Sequence, residues 1–209
     1  MATTMKYADV KLGFVEAVLN KLGGVEGAER FLRDEISISE PVRSWREEDG
    51  IIYFSVTSDG TNGEEWIARL EAKGLRVSDW AKSVLRSSDF TPTSGVTTTI
   101  AVLKGSLFED NDRFTKKIRA YAAKRKFSAP NAEVACLIRA KFTDKEIEAM
   151  GLSWIITMHE PIKDSGGCPS LLSARRYGCG SWLHADRGHP GRGWVRHRGF
   201  AFSVSQVGA

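Results

Sequence analysis

The chain has 209 residues, of which 42% are hydrophobic and 27% charged, enough apolar content to bury one large core or two small ones, so a disordered chain is excluded. It lacks a run of about eighteen apolar residues, and its start has no basic-then-apolar leader; no membrane span or secretion signal is expected, and the cytoplasm is the default compartment. The net charge of +4 is unevenly spread: residues 1–164 hold 13 Lys and 11 Arg against 15 Glu and 10 Asp, whereas residues 165–209 hold six Arg against one acid, Asp186, with three of the four histidines, an asymmetry that marks an interaction segment.

Val15, Val18, Leu19 and Leu22 follow helical spacing, and after the Gly23-Gly24 break the segment from Val25 to Asp34 continues in helical composition. Ile51 to Val56 (IIYFSV) is β-branched and aromatic and is bounded by the turn residues Asp49-Gly50 and Ser58-Asp59-Gly60, which predicts a strand. Thr61 to Lys73 places Trp66, Ile67 and Leu70 on one helical face, and Val77 to Leu85 reads the same way. Asp89 to Gly95 (DFTPTSG) interrupts the periodic pattern and predicts a linker, dividing the chain into an N-terminal part, residues 1–91, and a second domain, residues 92–209. Val96 to Leu103 is β-rich, and Asn111 to Lys126 is a charged amphipathic helix. Pro130 to Lys141 opens on a proline at a helix start, and Thr143 with Glu146 has the spacing of a capping box. Gly151 ends that helix, and Ser153 to His159 (SWIITMH) is apolar enough for a central strand. The fold class is α+β, with a smaller mixed N-terminal part and no internal repeat.

The order strand, helix, helix, strand, together with Lys126-Phe127-Ser128-Ala129-Pro130-Asn131-Ala132-Glu133-Val134-Ala135, resembles the helix region of bacterial C-type-lectin-fold proteins, where a proline-opened helix of the type LPTxAEWE follows the first helix. Gly180-Ser181-Trp182-Leu183 and Arg198-Gly199-Phe200-Ala201-Phe202-Ser203-Val204 look like the GGSW and GFRV elements that frame the variable region of proteins diversified by diversity-generating retroelements. The resemblance covers roughly residues 92–209, and Ala201 stands where a basic residue is common. It implies a C-type-lectin-like domain of the formylglycine-generating-enzyme type with a variable region at about residues 173–200. That domain would display side chains to a protein or cell-surface ligand, without catalysis and without a cofactor. The contact face would comprise Arg175, Arg176, Tyr177, Cys179, Ser181, His184, Asp186, Arg187, His189, Arg192, Val195, Arg196, His197 and Arg198, held by Trp182, Trp194, Phe200 and Phe202.

Composition points the same way. Between Ser165 and Ser205 there is no Lys, Glu, Gln, Met, Asn, Thr or Ile, although Lys and Glu supply 28 of the preceding 164 residues, a rate that predicts about seven in this window. Adenine-targeted randomisation of Asn codons ending in a pyrimidine, which the resemblance implies, yields Tyr, His, Asp, Ser, Cys, Arg, Gly, Ala, Val, Leu, Phe and Pro but never Lys, Glu, Gln, Met or Trp.

Other chemistry is weaker. Cys136, Cys168 and Cys179 match neither a disulfide framework nor a zinc ribbon. His184, His189 and His197 with Cys168, Cys179 and Asp186 lack paired metal-ligand spacing, and no metal is expected. His159-Glu160 sits at a strand end with no positioned nucleophile, so His159 reads as a structural hydrogen-bonding residue. No phosphate-binding glycine motif occurs. The alternative function is nucleic-acid binding, with six arginines interleaved with Tyr177, Trp182 and Trp194. The reading as an enzyme related to the formylglycine-generating proteins is set aside, because Cys168 and Cys179 fall in no matching motif.

Overall fold

The computed structural model describes residues 9–37, 43–178 and 180–204, and the chain forms two compact units, residues 1–43 and 44–209. The first unit contains two helices, α1 (Leu12–Leu22) and α2 (Gly24–Leu32). They are joined at Gly23, whose φ of 92° suits a residue without a Cβ at a helix end.

In the second unit the described elements are, in order, β1 (Arg46–Glu48), β2 (Ile51–Asp59), α3 (Gly63–Ala72), β3 (Arg76–Val77), α4 (Asp79–Leu85), β4 (Ser94–Lys104), α5 (Thr115–Lys124), β5 (Phe127–Ser128), α6 (Val134–Lys141), α7 (Asp144–Ala149), β6 (Trp154–Thr157), β7 (Ile162–Lys163), β8 (Pro169–Tyr177), β9 (Gly180–Arg187) and β10 (Arg198–Val204). The strands join in one mixed sheet ordered β1-β2-β4-β10-β6-β8-β9-β3, with β5 beside β10 and β7 beside β8. Local sequence explains many of the boundaries. Asp49 and Gly50 both take positive φ and close the β1–β2 hairpin in the way a two-residue turn between twisted strands requires. Both Asn62 with Glu65 and Thr143 with Glu146 form reciprocal capping boxes at the starts of α3 and α7, satisfying backbone donors that the first helical turn leaves open.

The division expected between residues 91 and 92 is corrected. β2 pairs with β4 from Ile51 opposite Leu103 to Asp59 opposite Ser94, so the segment from Asp89 to Gly95 runs into a strand of the same sheet instead of separating two cores. Its hydroxyl residues are used locally: Thr93 N–H donates to Glu133 Oε2 at 3.0 Å and Thr93 Oγ1 donates to Ser58 Oγ at 2.8 Å. Pro92 lies in the connection, whereas Gly95 is already in β4, with φ of 71°. Two further elements also shift. Arg76 and Val77 are extended before the Ser78 cap, whose side chain accepts from Ala81 N–H at 3.2 Å, and the helix expected from Pro130 begins at Val134.

The sheet is covered differently on its two faces. On one face Ile52, Ile100, Ile155, Ala174 and Ala201 pack against Val134 and Ile138 of α6 and Ile147 of α7, and Leu172, Leu183 and Ala185 continue that layer beneath α3 and α4. On the other face Leu103, Ile156, Phe200 and Phe202 pack with Ile118 and Ala122 of α5, Phe108 and Trp194. That second cluster takes Leu171 from β8 and, among the described residues, nothing from β9. No helix among the described residues is long and apolar enough to cross a membrane.

Candidate functional site

Successive residues of a strand point to opposite faces, and the strand registers align one row of side chains across the α5 face. Arg198 of β10 lies opposite Trp154 of β6, Trp154 opposite Arg175 of β8, Arg175 opposite Trp182 of β9, and Trp182 opposite Arg76 of β3. The row therefore reads Arg, Trp, Arg, Trp, Arg over five adjacent strands. Trp154 is flanked from both sides: the Arg175 guanidinium carbon is 3.4 Å from its ring centroid and that of Arg198 is 3.6 Å away. Arg76 lies 5.3 Å from the Trp182 centroid. A planar cation over a ring face is attracted by the ring's quadrupole, by about 0.5–2 kcal/mol per pair depending on desolvation. Each stacked guanidinium is thereby held by its face, leaving its in-plane N–H groups as the remaining polar edge.

Next to the row, Tyr177 lies over Arg175 with its centroid 4.0 Å away, and it accepts a hydrogen bond from that guanidinium. Residues 188–197 form a loop pinned at its centre. Trp194 is buried, its indole Nε1–H donates to Thr115 Oγ1 at 2.9 Å and its backbone N–H to Arg113 O at 2.9 Å, and its ring meets Phe200 edge-on at 5.9 Å. Arg192 and Arg198 approach the Trp194 ring at 5.6 and 5.3 Å. The turn from Val195 to Arg198 passes so close to Gly105 that a Cβ there would stand 2.6 Å from Arg196 O and 2.9 Å from Arg198 O, so glycine is what lets the loop seat.

The expected contact residues divide among several places. Arg175, Tyr177, His184, Asp186 and Arg198 share the α5 face, but Arg175 and Asp186 are each only 9% exposed. Arg176 and Ser181 face the helices and are corrected on that ground: Arg176 pairs with Glu148 at 3.2 Å and Ser181 Oγ donates to Asp144 Oδ2 at 2.7 Å, both partners lying on α7. The strand period of two separates neighbours that a linear reading grouped together. Arg187, His189, Arg192, Val195, Arg196 and His197 are exposed at the end of β9 and on the loop. Cys179 lies outside the described residues. Of the expected supports, Trp194, Phe200 and Phe202 are buried, whereas Trp182 is only partly buried and belongs to the row. The sequence reading missed Trp154 and Arg76. The alternation in Ser153-Trp154-Ile155-Ile156 already placed Trp154 and Ile156 on one face. Recognising Ser78 as a helix cap leaves Arg76 and Val77 as a short strand.

Electrostatics set this face apart. Burial brings the Arg198 guanidinium down to about 10, with Arg192 and Arg175 pushing the same way and Asp186 opposing. Burial also lowers the His184 imidazole, against Asp186 and helped by Arg175. Arg198 Nε, Trp182 Nε1 and His184 Nδ1 are buried with no hydrogen-bond partner among the described residues. Beside the row, at the outer edge of β9, a cavity of about 360 Å³ is lined by residues including Trp80, Asp164, Cys168, His184, Asp186 and Arg192.

Ser173, His184 and Asp186 come together in this region without forming a nucleophilic triad. Ser173 Oγ is fully buried and donates to Asp186 Oδ2 at 2.7 Å, so the carboxylate occupies the hydroxyl that an activating imidazole would need. His159 is held neutral as a structural residue: its Nε2 accepts from Leu172 N–H at 2.9 Å, and its Nδ1 lies 2.7 Å from Glu160 O. Burial lowers its pKa to about 4. No group of three or more His, Cys, Asp or Glu side chains among the described residues is placed to hold a metal ion.

No protein-family model matches the chain, and neither a curated protein nor a solved structure matches it.

Proposed function

We propose that the protein is a ligand-binding display protein, in which a C-type-lectin-like domain presents a variable region at about residues 173–200 for non-covalent recognition of a protein or surface ligand. The observation that carries this reading is the five-strand row of stacked arginine and tryptophan, because it sets Arg, Trp and Tyr, the residue types that dominate interface hot spots, around a buried Trp154–Arg175 centre with Arg76 and Tyr177 exposed and Trp182 and Arg198 half-buried. The element order supports it as well: α5 and α6 lie between β4 and β6, and β10 returns beside β4. So does the separation of roles within residues 165–204, where alternate residues of β8 and β9 pack beneath helices and the others, mostly polar or aromatic, line the opposite face.

Catalysis is not part of the proposal. Among the described residues of the face, the Ser173 hydroxyl is buried and given to Asp186, which argues against its use as a nucleophile.

The test is a phage-displayed library randomised at the exposed positions Tyr177, His189, Arg192, Val195, Arg196 and His197 and selected against a panel of immobilised proteins. The reading predicts folded clones that bind different targets through different side-chain sets. Clones that are mostly unfolded, or folded clones that bind nothing, would contradict it. The retroelement origin has its own test: a neighbouring reverse-transcriptase gene with a near-copy of the codons for residues 173–200 is expected beside the gene.

A further inference from the structure

The start of α5 is tied to the loop of residues 188–197. Lys116 N–H donates to Pro190 O at 3.0 Å and Thr115 N–H to Arg192 O at 3.1 Å, and Phe114 forms a backbone bridge with Gly193. Two segments distant in sequence thereby become neighbours: residues 113–126 hold seven Lys and Arg and no acid, and residues 187–198 hold four Arg and no acid. Several of these cations are already met. Arg113 pairs with Asp110 at 2.8 Å, Lys117 with Asp112, and Arg119 with Glu160 at 3.5 Å. Asp186 acts on Arg198, and Arg125 shares the surroundings of Tyr53 with Glu48 and Asp49. Lys116, Lys124 and Arg192 are exposed and, among the described residues, in no ion pair. Helical spacing sets Lys116, Ala120, Ala123 and Lys124 on the outward side of α5, opposite the buried Ile118 and Ala122. The two alanines keep that side low between the lysines.

We propose that this surface, centred on Lys116, Lys124 and Arg192 with Lys117 beside them, binds the sugar-phosphate backbone of a double-stranded nucleic acid without reading its sequence. From Lys116 to Lys124 the helix rises about 12 Å, a length over which a duplex presents about seven phosphate charges, and cations that meet them release condensed counterions. A single strand fits less well, because it needs open ring faces for its bases to stack on. Here Arg125 covers Tyr121, with its guanidinium carbon 3.9 Å from the ring centroid, and Trp194 is buried, which leaves Phe114 partly open. An anionic membrane surface would call for large apolar side chains among the cations, and a protein partner for an aromatic or arginine anchor in a pocket; the outward side of α5 offers Ala120 and Ala123. The proposal goes beyond display, since Lys116, Lys117 and Lys124 lie outside residues 173–200.

The experiment titrates the full chain into a dye-labelled DNA duplex of mixed sequence, the RNA duplex of the same sequence, an oligothymidylate and a polyglutamate of equal charge, read by fluorescence anisotropy from about 50 to 200 mM salt. Phosphatidylserine–phosphatidylcholine vesicles are tested by cosedimentation. Saturable binding to at least one duplex is expected, unchanged when its sequence is scrambled, with a log-log salt slope of about −3 for roughly three or four cations in contact. Which duplex binds identifies the source of the backbone. Lys116→Gln with Lys124→Gln is expected to weaken binding at least ten-fold and to flatten the slope by about two, at an unchanged melting temperature. Lys73→Gln with Lys145→Gln, an equal loss of charge at the end of α3 and on α7, is expected to leave binding as it is. Failure of both duplexes, equal or tighter binding of oligothymidylate, polyglutamate or vesicles, or equal losses from the two lysine pairs would each overturn the proposal.

Discussion

The two faces of the β8–β9 pair come from the same seventeen or so residues and the same biased composition, yet they do opposite work. Toward the helices stand Leu172, Ala174, Leu183 and Ala185, all buried in continuous apolar layers. Toward the other side stand Ser173, Arg175, Tyr177, Trp182, His184 and Asp186, where Ser173 donates to Asp186, Arg175 donates to Tyr177 and Trp182 lies under Arg76. One register decides both sets, because shifting a strand by one residue would exchange its faces. Composition alone therefore does not say which residues a partner can touch; parity along the strand does.

The contrast can be attacked first where anchoring is strongest. Trp194→Ala removes the buried ring that seats the loop and leaves Thr115 Oγ1 without its donor, and it is expected to cost about 4 kcal/mol, measured as a shift of the urea midpoint. A loss below about 1 kcal/mol would mean that the loop is not pinned there.

That dependence was partly legible in sequence. Trp194, Phe200 and Phe202 are too apolar for a free tail, and the alternation Phe200, Phe202, Val204 announces β10. The central strand β6, the capping box at Thr143 and the strand at Ile51 are equally plain, since each depends on neighbours a few residues away. The row is not local in this sense. Arg76, Trp154, Arg175, Trp182 and Arg198 span more than 120 residues of chain and meet only through long-range strand pairing, so no spacing rule could gather them. β8 was missed for a related reason: Leu171 and Leu172 are both buried, one on each face, so the strand lacks the alternation that marks a half-exposed one.

A second effect is set by pH. His159 anchors β8 through Leu172 N–H and titrates near 4 in the folded chain, below the ordinary histidine value of about 6.5. The unfolded chain therefore takes up the proton first. Stability is full above about pH 6.5 and declines as pH falls toward 4, by about 3 kcal/mol over that window. Urea midpoints measured across this range should show that slope, and His159→Gln should flatten it; an identical slope in the variant would assign the effect elsewhere.

Gly105→Ala comes next. Its Cβ would meet backbone oxygens of Arg196 and Arg198, which side-chain repacking cannot relieve, so a loss of about 2 kcal/mol is expected. Amide exchange in residues 195–198 should rise with it, and unchanged exchange there would separate Gly105 from the loop. The smallest effects belong to the outward set: single changes of Val195, Arg196 or His197 to Ser are expected to stay within about 0.5 kcal/mol in thermal melts. A change larger than 1 kcal/mol at any of them would move that residue from the displayed to the anchoring set.

The claim that display and anchoring are separable is tested most directly by the melting temperature of one chain carrying His189→Ser, Val195→Ser, Arg196→Ser and His197→Ser together. The account predicts a melting temperature within about 4 °C of the wild type, since roughly 1 kcal/mol moves a domain of this size by 2–4 °C. A fall of more than about 8 °C, the size expected of a buried Leu183→Ala, would contradict it.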